Sequence, residues 1–349
     1  MRNFEAVGAA ESFLVAAVAS ILAIRLFLNI TGYPQLGGNG LHIAHMLWGG
    51  LLMLAAIITL LSFLGKTAVT AGAILGGVGF GAFIDEVGKF ITSDNNYFFK
   101  PAVALIYVIF VLLFLVLRIL HARGNFTDRE YLINALRAME EAALYDLDEE
   151  EQRLALKYLE QSDGALPLVA ALKQTLARTA LSPSPSPSLF TRIKNLIADF
   201  YRYVAQLPFF SFVVIFFFIA QLFVKAVYVF VLIFFIGLRR EQILDYRVIG
   251  FVFGQIRHLS FVDWAEIASS FLSGIFVLCG VWLVRRARLN AYRMFERSIL
   301  VSIFLTQVFA FYKEQFSALL GLFFNIAVLV ALRYMIDRER TAETGTASI

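Results

Sequence analysis

The chain has 349 residues, 60% of them hydrophobic and only 16% charged, where an ordinary soluble domain carries about 25% charged residues. Lipid is therefore the expected main solvent, and the formal charge of +4 does not mark a nucleic-acid binder: the basic residues stand beside hydrophobic segments and form no aromatic-interleaved patches. The single cysteine, Cys279, excludes an intrachain disulfide and a CxxC metal site and is expected to pack as a small residue within an apolar span.

Several runs of about 20 apolar residues are each long enough to cross a hydrocarbon core of about 30 Å, and without polar–apolar alternation they read as helices, not barrel strands. The first predicted helix covers about Ala6–Leu28. Its apolar run follows Glu5 and Glu11 in place of a basic region and carries Arg25, so it is expected to be retained, not cleaved. A loop rich in Gly, Pro and Asn follows, then helices over about Leu41–Leu64 and Ala68–Ile91, joined by a tight turn near Gly65 and Lys66. Asn29-Ile30-Thr31 matches a glycosylation sequon, which chance explains. The polar loop TSDNNYFFKP leads to a fourth helix, about Pro101–Leu120, with proline in its first turn.

From residue 122 to 206 the chain turns charged while keeping helical periodicity. Thr127 and Glu130 form a capping box, a second amphipathic helix follows in DEEEQRLALKYLEQ, and a third is expected over about Leu166–Ala180. The SPSPSPS tract, Ser182–Ser188, reads as a semi-extended spacer, and LFTRIKNLIADFYRYVAQL as a basic-aromatic helix of the kind that lies on a bilayer surface. Further apolar helices are predicted over about Pro208–Gly237, Asp263–Val284, Ser298–Tyr312 and Phe316–Met335. The half-apolar stretch 238–262 between the first two is expected to be interfacial or re-entrant. Asp263 and Glu266 are expected to cap the helix that they open.

The fold class expected is all-α and polytopic: about eight transmembrane helices, divided by a cytoplasmic helical insert. The regions are 1–121, 122–206 and 207–349. With both termini inside, the inner segments hold 21 basic residues against seven outside, as the positive-inside rule asks.

The chemistry-bearing residues gather at the outer end of the Leu41–Ile91 hairpin. If the two helices are antiparallel about residue 66, His42 and His45 come level with Asp85, Glu86 and Lys89. His42, His45 and Gly49 share one helical stripe; Gly77, Gly81 and Gly88 share another, with Asp85 on its flank. Should the stripes meet, the histidines face Asp85, and Glu86 turns to Lys89 or to Arg25. Three readings follow: an interhelical hydrogen-bond network, a proton or cation relay, or a divalent-metal site from His42, His45 and Asp85. Near the middle of the fifth span, Gln221 and Lys225 read either as a cavity-lining pair or as a lysine matched inside the bundle by Glu11 or Glu266. No Walker loop, dinucleotide fingerprint, GxSxG or HExxH occurs.

The strings GGNGLHIAHMLWGG (37–50) and GFGAFIDEVGKFITSDNNYFF (79–99) resemble segments of uncharacterised bacterial multi-pass membrane proteins. The resemblance covers roughly the first 160 residues, includes the charged insert, and implies a bacterial plasma membrane but no activity. The function expected is movement or sensing of an ion or small solute through the outer cluster. The bilayer is the first partner, and residues 127–206 offer a docking face for a cytoplasmic protein. A metal-dependent membrane enzyme on a lipid-like substrate, with Glu86 as base, and a scaffold without catalysis are the alternatives.

Overall fold

The computed structural model describes residues 1–4, 6–32, 44–94, 96–97, 99–120, 126–183, 192, 195–196, 199–201, 203–204, 207, 209–237 and 260–346. His42, His121, His258, most of the Ser/Pro tract, much of the basic-aromatic segment and nearly all of the 238–262 stretch lie outside the described residues. No strand occurs among the described ones.

The first helices are α1 (Ala6–Thr31), α2 (His45–Ser62), α3 (Lys66–Asp85), the short α4 (Val87–Ile91) and α5 (Lys100–Leu120). The charged insert supplies α6 (Asp128–Ala143), α7 (Glu149–Glu160) and α8 (Pro167–Arg178). Then follow α9 (Phe210–Gly237), α10 (Phe261–Leu283), α11 (Arg288–Val301), a π-helical turn (Ser302–Thr306), α12 (Gln307–Glu314), a 3₁₀ turn (Gln315–Ala318) and α13 (Leu319–Thr346). Among the described residues, six helical stretches are long and apolar enough to cross a membrane by length and composition: α1, α2, α3, α5 as far as Ile119, α10, and the run Arg288–Arg340.

The chain divides into two compact units, Met1–Phe99 with Val108–Pro187, and Lys100–Tyr107 with Ser188–Ile349. In the first, α3 lies between α1 and α2, parallel to one and antiparallel to the other. Its glycines make this possible by letting backbones approach closely. Gly77 and Gly81 face the carbonyls of Phe13 and Ala17 on α1, with no room for a Cβ. On the other side, a Cβ on Gly79 would lie 2.6 Å from the Gly49 carbonyl oxygen of α2. The GxxxG pair therefore packs against α1, not against the histidine helix as the stripe argument required. The α2–α3 seam uses Gly49, Gly72 and Gly79 instead.

The insert folds as a three-helix layer around Ala135, Leu147, Leu159, Val169 and Leu176. Thr127 with Glu130 and Asp148 with Glu151 form complete capping boxes at α6 and α7. Among the described residues this layer meets α1–α3 at the N-terminus and at the α2–α3 turn. Arg2 pairs with Glu130 (3.1 Å) while Phe4 N–H donates to Asn134 (2.9 Å), and Lys66 in the α2–α3 turn pairs with Glu151. The N-terminus, the Lys66 turn and the insert thus share one end of the α1–α3 layer, and Arg25 and Asp85 stand at the other.

In the second unit, the run Arg288–Arg340 is not one rod. Gln315 takes a positive φ of 53° and reverses the chain, so that Arg333 reaches Glu296 (3.2 Å) and Asn325 reaches Gln307 (3.4 Å). Phe295, Ile299 and Leu332, each at most 1% exposed, form the centre of this hairpin with Phe218 of α9. Ser260 and Asp263 form a capping box on α10, as expected of Asp263. Glu266 pairs with Lys313 (2.5 Å). Cys279, expected to pack as a small residue, is exposed.

Candidate functional site

The site begins where α3 ends. Glu86 leaves the helical region (φ −89°, ψ 7°), so the helix expected to run on to Ile91 is interrupted, and Asp85 and Glu86 present their carboxylates in different directions. Both residues are 1% exposed. Two adjacent buried carboxylates require cations and donors, and these come from four other places in the chain.

Asp85 receives three side chains. Arg25 of α1 donates from Nε to Oδ1 (2.6 Å) and from Nη2 to the Asp85 carbonyl (3.2 Å), an otherwise orphan acceptor at a helix C-terminus. His45 Nε2 lies 3.2 Å from Oδ2, and the Tyr97 hydroxyl donates to the same oxygen (2.8 Å). Glu86 pairs with Lys89 one turn on (2.5 Å). Its other oxygen accepts the Met46 backbone N–H (3.1 Å). That second bond caps α2 from outside: Ala44 at its N-cap makes no side-chain cap, and a carboxylate there also suits the helix dipole. His45 Nδ1 stands 3.5 Å from Glu86, so the ring lies between the two acids.

Tyr97 closes the group. The Arg25 guanidinium sits 4.1 Å from its ring centroid and Lys89 Nζ 5.3 Å, and the His45 ring meets it edge-on at 6.1 Å. Burial, and then the Asp85 charge, push the Tyr97 phenol well above its ordinary value, so at neutral pH it acts as a hydrogen-bond donor. With a neutral imidazole, two cations balance two anions; a protonated ring adds one positive charge. A neutral ring has one N–H to offer and only the doubly protonated ring can donate to both carboxylates.

Five of the six residues expected in the outer cluster come together: His45, Asp85, Glu86, Lys89 and Arg25. His42 lies outside the described residues. Arg25 pairs with Asp85, and Glu86 takes the Lys89 alternative. Sequence reasoning missed Tyr97, which sits in a loop without periodicity; its one signal is an aromatic residue among turn formers eleven residues after Glu86. The Lys225 side chain lies outside the described ones. Gln221 Oε1 is buried with no hydrogen-bond partner among the described residues. Glu266, a candidate partner of Lys225, pairs with Lys313 instead.

For a divalent metal, the donors at hand would be His45 and Asp85, with His42. Among the described residues no group of three or more His, Cys, Asp or Glu is arranged to hold one. The oxygens of Asp85 are already taken by Arg25, His45 and Tyr97, so a metal would have to displace a guanidinium from its carboxylate. A cation so placed would be repelled by the group that it displaced.

The fold and the cluster define an all-helical protein with membrane-type spans and a buried, charge-compensated polar group at the end of one three-helix layer. No protein-family model, no curated protein and no solved structure matches the chain.

Proposed function

We propose that this chain is an eight-pass plasma-membrane protein of the bacterial type that its hairpin strings resemble, and that it senses or moves an ion, specifically a proton, at the outer cluster. Eight passes follow if α9 spans and if the Arg288–Arg340 run, reversed at Gln315, crosses twice. The positive-inside tally, together with the meeting of Arg2, Lys66 and the insert at one end, supports cytoplasmic termini and an outward cluster.

The observation that carries the proton reading is His45 lying between Asp85 and Glu86, with Arg25, Lys89 and Tyr97 completing its surroundings. The number of protons on the ring decides how many bonds hold the start of α2 to the end of α3.

The test is reconstitution into liposomes under an imposed pH gradient, with internal pH and α2–α3 distances followed by fluorescence. Flux, or a distance change between pH 5 and 8, that disappears in His45→Gln and Asp85→Asn is the expected result. One further observation favours a second reading, a structural lock: each carboxylate already has its own cation, Arg25 for Asp85 and Lys89 for Glu86. Absence of both flux and pH-dependent distance in the wild-type protein selects the lock.

A further inference from the structure

Because α1 and α2 both pack on α3, a groove remains between them. It has a volume of about 620 Å³ and is walled by Ala16, Ala19 and Ala23 on one side and Trp48 and Leu52 on the other, with Val78 on its floor. Its one hydroxyl, Ser20, is spent on the Val78 carbonyl (2.9 Å), which leaves the surface apolar. At one end stands His45, and Arg25 follows directly on Ile24 of the lining. We propose that this groove binds one acyl chain of an anionic phospholipid from the surrounding bilayer, with the phosphate held at the rim by the nitrogen groups of the cluster.

Depth is the first argument. The lining runs from Ala16 to Ile24 on α1 and from Ile74 to Ala82 on α3, about 12 Å at 1.5 Å per residue. One leaflet of hydrocarbon is about 15 Å deep, half the thickness of the core. A groove of this depth suits a lipid tail; a transmembrane helix from a second copy would need a face about twice as long.

Charge is the second argument. The Asp85 and Glu86 side chains are 0% and 1% exposed, whereas those of Arg25, His45 and Lys89 are 16%, 22% and 20% exposed. What the cluster shows to its surroundings is therefore its N–H donors, with the carboxylates covered behind them. A phosphodiester offers acceptors of the matching sign at the height where an outer-leaflet headgroup lies. This inference rests on the membrane orientation proposed above but not on the proton reading, since it uses the groove and the exposed face of the cluster, not the proton count of His45.

Trp48 in the groove wall is half-exposed and serves as the reporter. In a Trp264→Phe, Trp282→Phe background, the protein is reconstituted in nanodiscs whose phosphatidylcholine is replaced stepwise by acyl-brominated phosphatidylglycerol or by brominated phosphatidylcholine. The expected result is saturable quenching with a preference of about fivefold for the anionic lipid, the order that one basic group near a lipid surface confers. Ala19→Phe, which fills the groove from an exposed position, removes the saturable part, and Ala19→Val retains most of it. Equal, unsaturable quenching by both lipids overturns the proposal. So does quenching by brominated free fatty acid with none from the anionic phospholipid, or an oligomer that Ala19→Phe dissociates while lipid identity has no effect.

Discussion

Asp85→Asn is the sharpest perturbation of the cluster, because it preserves volume and removes one charge. In the wild-type protein the two carboxylate oxygens serve three side-chain donors: Arg25 Nε on Oδ1, and His45 Nε2 with the Tyr97 hydroxyl on Oδ2. Asparagine has one acceptor oxygen for those three, and its amide must turn N–H groups toward another donor. The Arg25 guanidinium loses its carboxylate while its side chain stays only 16% exposed. Breaking a buried pair in this way costs about 3–5 kcal/mol, and the lower end applies because a long, partly exposed side chain can relax outward. We expect Asp85→Asn and Arg25→Met each to lose about 3 kcal/mol in reversible unfolding from mixed detergent micelles. The double variant should lose about 4, a coupling of about 2 kcal/mol. Additivity of the two single losses to within about 0.5 kcal/mol would refute the argument that this pair holds α1 to α3.

Two further outcomes follow from the packing and the insert. Gly79→Ala places a methyl group 2.6 Å from the Gly49 carbonyl oxygen and 2.8 Å from the Met53 nitrogen, so it should destabilise by about 1–3 kcal/mol, whereas Gly8→Ala, with open space around it, should be neutral or slightly stabilising; thermal melts in detergent compare them. The Arg2 guanidinium, and after it the Thr127 amide, hold the Glu130 carboxyl down at about 2 against an ordinary 4.5. A depressed carboxylate adds stability above its unfolded value and loses it as pH falls toward the folded one, so protection of residues 126–183 from proteolysis should weaken between about pH 4.5 and 2. Unchanged protection across that window would remove Glu130 from the account.

Much of this fold was legible because its signals are local. Thr127 and Glu130 announce a cap whatever surrounds them, and Gly65 with Lys66 marks a reversal between two apolar runs. The level of His45 with Asp85 followed from antiparallel geometry alone. The choice of neighbour for each face of α3 did not. Glycines occupy several of its faces, so Gly77 and Gly81 could serve either flanking helix, and only the three-helix layer assigns them to α1. Arg25 was expected, if anywhere in the cluster, on Glu86 as the alternative to Lys89; it pairs with Asp85, because the break at Glu86 turns the second carboxylate toward Met46 and Lys89. Tyr97 was invisible because a side chain delivered by a loop has no period to betray it.

The grip of the insert on the membrane helices separates a strong attachment from a weak one. Lys66 and Glu151 have side chains 30% and 29% exposed, and an ion pair of that kind contributes about 0–1 kcal/mol. At the other attachment, the Phe4 ring lies among Phe126, Tyr131 and Tyr158 with centroids at 4.4, 5.6 and 5.1 Å, beside the Arg2–Glu130 pair and the Asn134 bonds. Aromatic pairs of this geometry are worth about 0.5–1.5 kcal/mol each beyond the area they bury. Phe4→Ala should therefore expose residues 126–183 to protease far more than Lys66→Met does, and the reverse order would overturn this ranking. Between Phe4 and Arg25, α1 is pinned to α3 at Gly77 and Gly81, where neither backbone has room to slide. Releasing the insert should accordingly leave the Arg25–Asp85 coupling energy unchanged. A fall in that coupling in Phe4→Ala would mean that α1 transmits strain past the glycine contacts, making the insert a regulator of the Asp85 cluster and not merely its neighbour in sequence.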